Sequence, residues 1–181
     1  MQQTDNAADI AADQIVRPNA VSGGQIQFIS FAIGDEQYGV DIMAVREIKG
    51  WSDITRLPRL PEHVRGVLNL RGAIVPIVDL RCRFGQGLTG TTPLHIVIIV
   101  QIGDRQVGLI GDRVLDIVSI DAAEIRPVPS TAQGSVTNFL SGLVTHGGTM
   151  MALIDIPSLL SEQDGHAIAE TTAHRPMAVN A

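Results

Sequence analysis

The residues of this chain able to do covalent or metal chemistry are few: one cysteine, Cys82, and five histidines, His63, His95, His146, His166 and His174. Zinc held by a helix or a finger needs histidines at the spacing HxxxH or close to it, and no pair here has it. A single thiol excludes a disulfide framework and a multi-thiolate metal site, and fits a reducing compartment. Cys82 lies between Arg81 and Arg83, whose charges would favour a thiolate, yet a lone thiol in a short amphipathic turn reads as packing. Gly85-x-Gly87-x-x-Gly90 matches the dinucleotide-binding pattern in its letters. That mechanism needs a strand before the glycines and a helix N-terminus after them to receive the pyrophosphate. Here Thr91-Thr92-Pro93 and an apolar run follow, so the segment reads as a flexible linker. There is no GxSxG, SxxK or Walker loop. Asp79 and Asp155 stand at matching places after two similar hairpins and read as helix N-caps. No catalytic residue, metal or cofactor is expected.

What remains is surface for another protein. Residues 66–80, GVLNLRGAIVPIVDL, place two apolar, β-branched runs around Arg71-Gly72, the pattern of a β-hairpin. Alternation along the strand puts Val67, Asn69 and Arg71 on one face and Leu68 and Leu70 on the other. Pro76 cannot donate to a ladder, so its strand is expected at an edge or at a bulge. Upstream, Val45 and Glu47 share one face of a short strand, and Arg46 and Ile48 the other. Val45, Glu47, Asn69 and Arg71 are the candidate contact residues, the alternative on these residues alone being a solvated turn arginine and an ordinary strand face.

The hairpin has a second copy. Residues 142–156, GLVTHGGTMMALIDI, align with it at a shift of 76, matching Gly66 to Gly142, Gly72 to Gly148 and Asp79 to Asp155. Before the hairpins, AIGDEQYGVD (32–41) aligns with QIGDRQVGLI (101–110) at a shift of 69. Each repeat carries about five short strands, too few for a sandwich, and closure into a small barrel removes exposed edges. The expected fold is all-β: two tandem SH3-like five-stranded barrels with short helical turns, the first over about 25–88 and the second over about 94–161. Residues 1–24 and 162–181 are polar, small-residue segments without an apolar stripe and are expected to be disordered arms.

Charge narrows the partners. The formal net charge is −6, and Lys49 is the only lysine. Residues 25–92 hold eight bases and seven acids, and residues 93–161 hold three bases and six acids. An acidic chain with 3% aromatic residues lacks the basic face and stacking platforms of a nucleic-acid binder. No apolar run approaches a membrane span and the N-terminus lacks a secretory pattern, so a cytoplasmic protein without direct membrane insertion is expected.

Four blocks, YGVDIMAVREIKG (38–50), RGVLNLRGAIVPIVDLR (65–81), VGLIGDRVLDIVSI (107–120) and SGLVTHGGTMMALIDI (141–156), resemble in order the CheW family of chemotaxis coupling proteins. The likeness runs over about residues 25–161. It implies two SH3-like barrels and a non-catalytic adaptor joining the cytoplasmic tips of methyl-accepting receptors to the regulatory domain of the histidine kinase CheA. It implies association with membrane receptor arrays, with service in a non-flagellar chemosensory pathway as the alternative. By motif, Val45 and Glu47 in VREI and Arg71 in NLRG fall where family members contact receptors, and Asn69 stands beside Arg71. Family members also form rings by pairing the first barrel of one molecule with the second barrel of a neighbour, so other copies of the chain are possible partners. The kinase CheA and the coupling protein CheV share the fold, but this chain has no room for a kinase core or a receiver domain.

Overall fold

The computed structural model of the chain describes residues 24–129 and 135–173. Ten strands follow in order: β1 (Gln25–Ile33), β2 (Glu36–Asp41), β3 (Val45–Gly50), β4 (Val64–Leu70), β5 (Ala73–Asp79), β6 (Ile96–Ile102), β7 (Arg105–Gly111), β8 (Arg113–Asp121), β9 (Leu140–His146) and β10 (Thr149–Ile154). Helix is limited to α1 (Leu80–Arg83), α2 (Glu162–Ala173) and four short 3-10 turns among the described residues. The fold is all-β, with two five-stranded sheets. Side chains start the turns: Asp41 accepts from Met43 N, and Asp121 and Glu124 form a capping box. Asp79 caps α1 through Cys82 N, as the sequence indicates. Asp155 stands at the N-cap of Ile156–Leu159, but its carboxylate accepts from Ser158 Oγ rather than from the backbone.

The strand orders are β8-β1-β2-β10-β9 and β3-β6-β7-β5-β4. Sequential barrels over 25–88 and 94–161 are therefore not what forms. The repeat itself is real, β1–β5 matching β6–β10, and both sheets have the same order once equivalent strands are substituted. The halves have traded their first hairpins: β1 pairs with β8 and β2 with β10, while β6 pairs with β3 and β7 with β5. A repeat reports likeness, not adjacency. β1 is buried from Phe28 to Ile33 and β6 from Val97 to Val100, on both faces, which suits a hairpin with one face in its own sheet's interior and the other between the sheets. Three apolar clusters result. One fills the β3–β7 sheet around Leu68, Val75, Ile77 and Ile110, and one fills the other sheet around Phe28, Val118, Met151 and Leu153. The third joins the sheets through Phe31, Tyr38, Leu80, Ile98 and Leu109. β3–β7 is thus a contiguous unit set between β2 and β8; we call it the inserted sheet and its partner the outer sheet.

Three further expectations change. Pro76 lies in a strand flanked on both sides, β4 and β7, but β7 pairs only with Ile77–Asp79, so the proline sits where β5 has lost that neighbour. The linker after α1 is anchored rather than loose, because Thr89 is buried and gives both its backbone N–H and its hydroxyl to Asp79. The expected C-terminal disordered tail, 162–181, begins instead as α2. Ser161 N donates to Asp164 Oδ2 and Asp164 N donates to Ser161 Oγ, a reciprocal cap. The expected N-terminal arm lies outside the described residues except for Gly24, as do 174–181.

Candidate functional site

The β4–β5 hairpin turns in two residues, Arg71 at φ 50 and Gly72 at φ 90. Two positive φ angles make the turn whose twist matches its strands, normally built with Gly, Asn or Asp. The equivalent turn in the outer sheet is Gly147-Gly148. Arginine in the left-handed region costs roughly 1 kcal/mol. Asn69 fastens the turn, its Oδ1 accepting from Gly72 N at 3.0 Å. Arg71 then reaches β3, donating from Nη2 to Glu47 Oε2 at 2.7 Å. β3 and β4 are the two edges of the inserted sheet, so the ion pair spans the gap between them. The arginine side chain is 80% exposed, and such a pair contributes little to stability. The backbone strain is therefore not offset by the pair.

The structure brings Glu47, Asn69 and Arg71 together. It does not bring Val45, which is half-buried and packs against the cluster between the sheets. Val67, expected on the same strand face as Asn69 and Arg71, is buried, and Thr55 of the preceding loop bridges to it. Ile74, missed in the sequence, lies opposite Asn69 and is 44% exposed; the hairpin register alone would have found it. Met43, before β3, is 80% exposed.

Beneath the hairpin lies a buried polar cluster. Asp79 takes Arg65 Nη1 at 2.7 Å, Thr89 N at 2.8 Å and Thr89 Oγ1 at 2.7 Å. Burial pushes the nearby Cys82 thiol up, and Glu62 and Asp79 add to this more than Arg65 and Arg83 oppose it. Flanking arginines thus fail to activate the thiol: Arg81 is paired with Asp112 and Arg83 with Asp164. Among the described residues no three His, Cys, Asp or Glu side chains converge as metal ligands, and no helix is long and apolar enough to cross a membrane. The arrangement offers fixed charge and apolar surface, which suit binding.

His63 sits between Arg83, whose Nη1 lies 3.5 Å from Nδ1, and Asp164, whose Oδ2 lies 3.2 Å from Nε2. Burial, then Arg83, hold its pKa below the ordinary imidazole value, and Asp164 opposes them only in part. Burial alone would raise Asp164, but its two bonds with Ser161, with His63 and Arg83, bring it below the usual value. Both groups therefore bind protons more readily in the unfolded chain. Stability is expected to fall as pH drops below the unfolded histidine value of 6.5, and again below the carboxylate value of 3.8. Melting temperatures across the first window should decline less steeply in His63→Gln than in the parent; parallel curves would remove His63 from the account.

The CheW-like domain family matches residues 27–164. The chemotaxis protein CheW of Klebsiella aerogenes is 42% identical over 138 residues, 76% of this chain and 83% of that protein. The chemotaxis protein CheW of Rhizobium meliloti is 37% identical over 147 residues, 81% of this chain and 95% of that one. The crystal structure of the scaffolding protein TtCheW from Thermoanaerobacter tengcongensis superposes with a TM-score of 0.71 at 31% identity, covering 84% of this chain and 96% of that one.

Proposed function

Because the chain belongs to the CheW-like domain family, we propose that it is a chemotaxis adaptor coupling the cytoplasmic tips of methyl-accepting receptors to the regulatory domain of the kinase CheA. It works in the cytoplasm, at membrane receptor arrays, without chemistry of its own. The observation that carries the receptor half of this reading is the Glu47–Arg71 pair on a strained hairpin tip. Asn69 sets the tip, and Val45 supports β3 from beneath. Arg71→Glu or Glu47→Lys is expected to weaken binding of a receptor cytoplasmic fragment by ~2 kcal/mol or more, since each reversal adds repulsion and strips a charge of its partner. The fold should persist, because the pair is exposed. Unchanged affinity in both variants, measured by calorimetry, would reject the site.

The charge distribution supports contacts between unlike sheets. Residues 42–111, which contain the inserted sheet, hold nine bases and five acids, while 24–41 and 112–161 hold two bases and eight acids. The two sequence halves differ much less; trading hairpins sharpens the asymmetry. A positive unit beside a negative one favours head-to-tail pairing with CheA or with another copy, and such heterologous contacts close into rings when the rotation permits. Cysteines placed on the inserted sheet of one molecule and the outer sheet of another should cross-link efficiently. Cross-linking only between like sheets would contradict this geometry.

A further inference from the structure

β5 and β7 run parallel and part company at Pro76. They pair from Ile77↔Gly108 to Asp79↔Ile110 and no further back. The equivalent strands of the outer sheet pair over the same number of residues but further back, through Ala152↔Tyr38 to Met151↔Gln37, and Ala152 is the repeat counterpart of Pro76. The proline has no N–H to give to β7. Between the diverging strands opens a cleft of about 480 Å³, walled by Ile74, Pro76, Gln106, Val107 and, from α2, Ile168 and Ala169; specific ligand sites commonly measure ~300–1,000 Å³.

The cleft carries unpaired backbone. Leu70↔Ala73 closes a two-residue turn and is a hydrogen-bonded pair, so at Ile74, one step on, the N–H and C=O turn away from β4 towards the cleft. The same alternation from Ile102↔Arg105 turns the N–H and C=O of Gln106 away from β6 and into it. At the mouth stands Arg105, exposed and paired with no carboxylate among the described residues. A Cβ at position 165 would come within 3.1 Å of its Nη1, so Gly165 lets the guanidinium lie against α2.

We propose that this cleft receives an extended peptide strand from a partner protein, with apolar side chains against Ile74, Pro76 and Ile168 and an acidic side chain on Arg105. Ile74 and Gln106 supply main-chain hydrogen bonds from the two sides, the mode of strand addition. The surface meets the candidate receptor hairpin at Ile74 but does not include the Glu47–Arg71 pair and does not depend on its assignment.

The test is selection of short random peptides displayed on phage against the full chain. Selected peptides are then titrated into isotope-labelled protein. Enriched peptides should alternate apolar residues around an acidic one and shift the amide signals of Ile74, Gln106 and Ile168. Pro76→Ala restores the donor that lets β5 zip onto β7, and should weaken binding at least ~10-fold, about 1.4 kcal/mol. Arg105→Glu, at an exposed site, should turn the selection towards basic peptides. Thermal melts establish that both variants are folded. The proposal is overturned if no peptide is enriched over the Pro76→Ala chain, or if the enriched peptides ignore both substitutions. It is also overturned if sedimentation shows self-association that Pro76→Ala abolishes, which would assign the cleft to a second copy of the chain.

Discussion

Replacing Asp79 by alanine is expected to lower the unfolding free energy by about 3–5 kcal/mol. Its side chain is fully buried and Arg65 beside it is 13% exposed. The carboxylate also takes the N–H and hydroxyl of Thr89 and caps α1 through Cys82 N. Removing it strands a buried guanidinium and leaves the Thr89 donors unmade, the costly side of hydrogen-bond energetics. Asp79→Asn keeps the shape and an acceptor and should cost less. Arg65→Met in the alanine background should recover part of the loss, because it removes the orphaned charge. Urea midpoints measure all three; a loss below ~1 kcal/mol in Asp79→Ala, the range of a surface pair, would show that the cluster is wetter than it looks.

Gly66→Ala is the second large effect, expected at ~3 kcal/mol. An added Cβ there would stand 2.3 Å from Thr55 O and 2.9 Å from Thr55 C, both backbone atoms, on a residue at φ 149. The loop that would have to move is bonded to β4 both ways, Thr55 N to Val67 O and Val67 N to Thr55 O, at 2.9 Å. Its Trp51 and Ile54 cover one end of the inserted sheet's core. Gly72→Ala gives the contrast: φ is 90 but nothing lies within 4 Å of the added atom, so only conformational strain of ~1 kcal/mol remains. Equal losses in the two variants would mean that backbone angle, not crowding, governs Gly66. Gly142 repeats the arrangement, with Arg126 O at 3.1 Å and Ile125 Cγ2 at 2.6 Å.

Those two glycines show what could be read in advance. The repeat matches Gly66 to Gly142, and the strands, two-residue turns and most caps follow from alternation and turn chemistry. Strand partners do not follow, because an apolar β1 is equally satisfied beside β3 or β8, and only closing both interiors together decides. Glu47 and Arg71 were each legible as surface residues. Their contact was not, since it depends on two sheet edges meeting. α2 escaped notice because it lacks an apolar stripe and is held through Asp164, although the Ser161-x-x-Asp164 spacing is a helix-start signal in plain letters.

The nesting of the inserted sheet has a consequence for synthesis. On the ribosome β3–β7 is finished by Gly111, while the β1–β2 hairpin, made first, lacks β8 and β10 until Ile154 has been added. A folded insertion fixes the span between β2 and β8, with Asp112 at its end donating its N–H to Ala32 O, and so shortens the loop that the outer sheet must close. The order of completion is therefore the reverse of the order of initiation: the sheet begun first is the last to be sealed.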